Sequence, residues 1–129
     1  MDVSAVLRKV DEYYRLNQGA EAEKLMQSAI GEAVEEGNDE GLLQLLNELL
    51  GYYRETSQVE NSYAIAQQCI SLAERMGLEG TIPYATTLLN VANAYRAGGR
   101  LEDSLELYLR VREIYEKNLS VDDMLVASM

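Results

Sequence analysis

EYYRLNQG, residues 12–19, contains a Tyr-Tyr-Arg triplet that returns in GYYRETSQ at 51–58 and, with one change, in NAYRAGGR at 93–100. Tyr53 follows Tyr13 by 40 residues, and Tyr95 follows Tyr53 by 42. A fixed period of that size is the signature of stacked supersecondary units, each leaving an apolar face that the next unit covers. The tyrosines therefore serve as a ruler for the rest of the chain.

Between the glycines, helical periodicity fills six segments near 3–17, 20–36, 40–55, 59–76, 82–97 and 100–119, which pair into three hairpins. The single proline, Pro83, follows Thr81 and Ile82, and in a first turn it loses no hydrogen bond. Counted back from each tyrosine, the residues at seven, four and three are Val6, Lys9 and Val10, then Leu46, Leu49 and Leu50, then Leu88, Val91 and Ala92. The first copy is eroded at Lys9. Counted forward, the residues at nine, thirteen and sixteen are Ala22, Met26 and Ala29, then Ser62, Ala66 and Cys69, then Ser104, Tyr108 and Val111. Small residues recur where two helices must cross closely.

This order of large, small and aromatic positions resembles the tetratricopeptide repeat, W-x2-L-G-x2-Y followed by A-x3-F, over nearly the whole chain. Three features depart from it. The tryptophan position holds Val6, Leu46 or Leu88, the period is 40–42 instead of 34, and no proline closes each repeat. The longer period, and the stretch from Thr81 to Leu119, look like the 42-residue variant of kinesin light chains. The resemblance implies an all-α fold, an α-α superhelix (solenoid) of three antiparallel helix hairpins plus the start of a fourth. Residues 1–129 then form one repeat domain, with repeats at about 3–37, 40–77 and 82–119, and with 120–129 as a capping or truncated helix.

On a helical wheel the apolar residues of 101–119 span an arc of about 220°, twice what a surface helix needs. That helix expects neighbours on two sides, as an interior helix of a stack does. Ala127 lies 42 residues after Ala85, in register with the start of a fourth first-helix. The expected chain is thus a segment of a longer array, or an array whose open end is closed by its tail or by another copy.

Composition narrows the function. With 129 residues, 47% of them hydrophobic, the chain is long enough to bury a core without metal or disulfide staples. Its one cysteine, Cys69, has no partner within the chain and falls at a close-packing position, as a buried small hydrophobe would. The acidic, amphipathic start MDVSAVLRKVDEYY lacks the layout of a secretion signal, so the expected location is the cytoplasm. No stretch approaches a membrane span. A net charge of −11 opposes nucleic-acid binding, which needs a basic footprint. The acid is concentrated in residues 1–40, where ten acidic side chains face four basic ones.

Signals for catalysis are thin. There is no histidine, no thiolate cluster for zinc, no nucleophile elbow and no phosphate-binding loop. Adjacent acids such as Glu35 and Glu36 diverge by about 100° on a helix, which suits a solvated face better than an acid/base pair. The expectation is a non-enzyme with no cofactor and no metal.

The resemblance implies a protein-interaction scaffold in which the first helices line a concave groove for a partner's peptide or helix. The candidate groove residues are Tyr14, Arg54 and Arg96, one past each tyrosine, with Asn47, Asn90 and Asn93, and Arg8 and Arg15 from the first copy. Asparagine can grip a peptide backbone as donor and acceptor, and arginine can clamp a carboxylate with two parallel hydrogen bonds. An acidic peptide or a C-terminal carboxylate would fit that set. The alternative for Arg54 and Arg96 is pairing with neighbours such as Glu55 and Glu102. The alternative for the whole chain is a structural, self-associating module whose open C-terminal hairpin pairs with another copy as a homodimer.

Overall fold

A computed structural model describes residues 1–118. Leu119, expected to end the last helix, and residues 120–129, expected as a capping or truncated helix and the start of a fourth repeat, lie outside the described residues. Six helices follow one another: α1 (Val3–Arg15), α2 (Gly19–Glu36), α3 (Asp39–Glu55), α4 (Val59–Arg75), α5 (Ile82–Ala97) and α6 (Leu101–Asn118). They pair as α1–α2, α3–α4 and α5–α6, and the described residues form an all-α helical repeat solenoid.

The helices start and stop for local reasons. The side chains of Asp2, Asn38 and Thr81 accept hydrogen bonds from the backbone N–H groups of Ala5, Gly41 and Tyr84, which caps α1, α3 and α5. Pro83 sits in the first turn of α5. At the far ends, the carbonyls of Tyr13, Tyr53 and Tyr95 accept from the N–H groups of Gln18, Gln58 and Arg100, each at 2.8 Å. The residue in between, Asn17, Ser57 or Gly99, turns left-handed at φ 58°, 58° and 91°. This is the left-handed C-cap, repeated three times. The period seen in the tyrosines is therefore a period in helix ends.

The small residues of the second helices sit where the hairpins close. Ala22, Ser62 and Ser104 are buried, and the two serine hydroxyls are satisfied by Val59 O at 2.7 Å and Leu101 O at 2.8 Å in their own helices. Cys69 is fully buried, and burial pushes its thiol pKa up to about 12. The first repeat is the weakest. α1 buries only Val3 and Val10, while Lys9 is exposed, pairs with Glu12 and lies over the Tyr13 ring.

The same tyrosines also join repeat to repeat. The Tyr53 hydroxyl donates to Glu23 of α2 at 2.7 Å and accepts from Gln27 at 3.2 Å. The Tyr95 hydroxyl accepts from Gln67 of α4 at 2.8 Å, with its ring edge-on to Tyr63. The positions in α6 equivalent to Glu23 and Gln27, or Tyr63 and Gln67, are Leu105 and Leu109, which are 59% and 53% exposed. Of the wide apolar arc on α6, one side is buried through Leu107, Val111 and Ile114, and the other leaves Leu101, Leu105 and Leu109 in solvent.

α1 packs on α3 and α3 on α5, whereas α2, α4 and α6 make no such contacts with one another among the described residues. The first helices thus form the tighter, inner layer of the stack, and the polar side chains on their outward faces converge.

Candidate partner-binding groove

The inner face follows from the ruler. Residues five before, two before and one after each tyrosine lie on one helical stripe. They are Arg8, Asp11 and Tyr14 in α1, Glu48, Gly51 and Arg54 in α3, and Asn90, Asn93 and Arg96 in α5. Two neighbouring cavities open along this stripe. The larger, of about 630 Å³, lies between α1 and α3 and reaches Asn90 of α5. The other, of about 450 Å³, lies between α3 and α5 and is bordered by Asn93, Arg96 and Ala97. Arg54 and Glu55 border both.

Gly51 gives the larger cavity its depth, since a Cβ there would have nothing within 4 Å. On one wall the rings of Tyr14 and Tyr52 stack, with centroids 6.0 Å apart and planes 11° from parallel. The close approach of Tyr52 to α2 is permitted by Gly19, where a Cβ would stand 3.0 Å from its ring.

Part of the polar set is committed internally. The Asn47 side chain donates to Leu43 O at 3.0 Å and to Thr87 Oγ1 at 3.4 Å, and its oxygen accepts from Asn90 Nδ2 at 2.9 Å. Asn93 Oδ1 accepts from the Tyr108 hydroxyl at 2.6 Å. What remains for a ligand is the Asn90 oxygen and the Asn93 amide N–H groups. Arg54 is 30% exposed and lies 3.6 Å from Glu55, whereas Arg96 is exposed and pairs with no carboxylate among the described residues. Arg8 and Arg15 are exposed on α1 and border neither cavity.

Electrostatics divides the groove in two. Beside Tyr14, burial raises the Glu48 carboxyl above the ordinary carboxylate range, and Asp11 adds to the rise. Burial, and then Glu48, Tyr52 and Asp11, push the Tyr14 hydroxyl up to about 12. The α1–α3 side is thus acidic and aromatic, the α3–α5 side carries Arg96, and Arg54 stands between them and borders both. Sequence reasoning missed Glu48 and Tyr52. Glu48 was within reach, because it stands five before Tyr53, as Asn90 stands five before Tyr95. Tyr52 carries no such signal, since its counterparts are Glu12 and Ala94.

Among the described residues, no His, Cys, Asp and Glu side chains gather as a metal site would require, and no helix is long and apolar enough to cross a membrane. No curated protein matches the chain. Residues 85–123 match the family model of the tetratricopeptide repeat, over the hairpin whose tyrosine, C-cap and small-residue positions recur in the two before it. The third hairpin is thus similar to a tetratricopeptide repeat over residues 85–123.

Proposed function

We propose that the chain is a protein-interaction scaffold that holds an extended peptide or a helix of a partner along the inner face of α1, α3 and α5. Repeats of this family generally mediate protein–protein interaction and form non-enzymatic scaffolds. The observation that carries the reading is the pair of adjoining cavities over Gly51, bordered by Arg54, Arg96 and the unengaged polar atoms of Asn90 and Asn93. Asparagine amides suit a peptide backbone, and Arg54 with Arg96 suits an acidic side chain or a C-terminal carboxylate.

The test is peptide selection from a displayed random library on the wild type, followed by affinity measurement on two variants. Gly51→Met fills the cavity without straining the helix, because the site is open and methionine is the better helix former. Arg54→Ala with Arg96→Ala removes the clamp and is expected to weaken acidic peptides by roughly tenfold or more per arginine. Unchanged affinity in both variants overturns the groove.

A second reading, self-association through the C-terminal hairpin, is favoured by Leu101, Leu105 and Leu109. Leu105 and Leu109 stand at the positions through which α2 and α4 hold the next repeat, and all three leucines are exposed. Light scattering after size exclusion should then show a dimer that Leu105→Gln with Leu109→Gln converts to monomer. A wild-type monomer at high concentration excludes it.

A further inference from the structure

The α1–α3 half of the groove has a chemistry opposite to that of the α3–α5 half. Glu48 is half-buried against the Tyr14–Tyr52 stack, with no hydrogen bond and no ion pair among the described residues. None of the cations of α1 and α3 pairs with Glu48: Lys9 lies against Glu12 and the Tyr13 ring, Arg54 stands 3.6 Å from the exposed Glu55, and Arg8 and Arg15 are exposed and border neither cavity. A partly desolvated carboxylate with no counter-charge is a cost the fold carries unless something relieves it. Asp11, on the neighbouring helix, makes that cost larger, as the raised Glu48 pKa reflects. Two stacked tyrosines offer ring faces that attract a cation, most strongly where water is excluded.

From this juxtaposition we infer that the cavity between α1 and α3 receives a lysine or arginine side chain of the bound peptide, its cation paired with Glu48 and set against the Tyr14–Tyr52 rings. The inference rests on the peptide-binding reading above and gives the ligand a polarity. A peptide spanning both cavities carries a basic residue at the α1–α3 end and a carboxylate at the α3–α5 end, where Arg54 and Arg96 stand. The space suits this division. Some 630 Å³ over Gly51 holds a long side chain together with part of its backbone. A purely acidic peptide would instead set like charges against Glu48 and Asp11.

The test begins with the peptides selected from the random library on the wild type. Their basic residue is replaced by methionine, which keeps the length of the chain and removes the charge, and affinity is measured on wild type and on Glu48→Gln. The expected result is a loss of about tenfold on the wild type and less than twofold on Glu48→Gln, as for a lost charge-assisted pair. Arginine-to-lysine exchange in the same peptides separates a guanidinium preference from an ammonium one. Glu48→Lys, selected against the same library, is expected to yield peptides without the basic residue, and thermal melts of both variants establish that they fold. Selected peptides lacking lysine and arginine, or an equal loss on wild type and Glu48→Gln, overturn the basic subsite and leave the groove standing. Failure to select any peptide overturns the groove and the subsite together.

Discussion

Leu49→Ala separates a joint between repeats from a general loss of core. Leu49 is 2% exposed and packs with Val10 of α1, Ala22 and Met26 of α2, and Tyr53. This cluster is distinct from the larger one, which takes in Val3 of α1 and Ala29 and Ala33 of α2 and runs on through α3 to α6. Truncation removes a buried isobutyl group and leaves a cavity between helices, which costs about 3 kcal/mol. Against a total of about 5–15 kcal/mol for a chain of this size, that is a substantial fraction. It lowers Tm by roughly 10 °C. Stability in a stacked array is close to a sum of unit and neighbour terms, so the loss should fall unevenly. Urea unfolding gives its size, and native-state hydrogen exchange gives its place. Amides of α1 and α2 should lose protection first, while those of α5 and α6 hold. Leu88→Ala, in the other cluster and fully buried, is the control and should open the α5–α6 side instead. A loss below about 1 kcal/mol, or equal loss of protection in α1–α2 and α5–α6, would refute this account of the joint.

Three further perturbations test other parts of the structure. Ser57 is left-handed where Gly99 occupies the same turn, so Ser57→Gly should stabilise by about 0.5–1 kcal/mol and Gly99→Ala should destabilise by about 1 kcal/mol, read from urea midpoints; a loss for Ser57→Gly contradicts the turn assignment. Because the folded state raises the Glu48 pKa, it holds that proton more tightly than the unfolded chain does, so the unfavourable contribution is present above the raised pKa and vanishes below the ordinary one. Glu48→Gln should accordingly be more stable than wild type at neutral pH and should lose that advantage in acid; equal midpoints at neutral pH would show the carboxylate to be fully solvated. Cys69, buried with its thiol pKa pushed up to about 12, should react with thiol reagents only as fast as the protein opens; rapid labelling of the folded protein would place it at the surface.

The hairpins were legible in the sequence because their causes are local. A tyrosine two residues before the end of each first helix, a left-handed residue four after it and small residues at fixed offsets in the following helix act within one repeat. The expected helix ends accordingly agree with the observed ones to within about two residues. The groove was legible as a stripe, since the offsets that mark the core also mark the face opposite it. Its chemistry was not. Whether Asn47 meets a ligand or Asn90 and Thr87, whether Asn93 gives its oxygen to Tyr108, and whether Arg54 faces Glu55 depend on partners up to 43 residues apart or on a rotamer.

By itself, then, the sequence determined the period, the all-helical hairpins, the weak first repeat and the resemblance to tetratricopeptide repeats, because a repeat writes the same short-range rules several times. Only the tertiary structure decided that Leu101, Leu105 and Leu109 are left in solvent and that Glu48, among the described residues, stands without a counter-charge beside two stacked tyrosines. The physical reason is the same for both. Burial and pairing belong to side chains brought together from different repeats, and no offset counted along one helix states who their neighbours are.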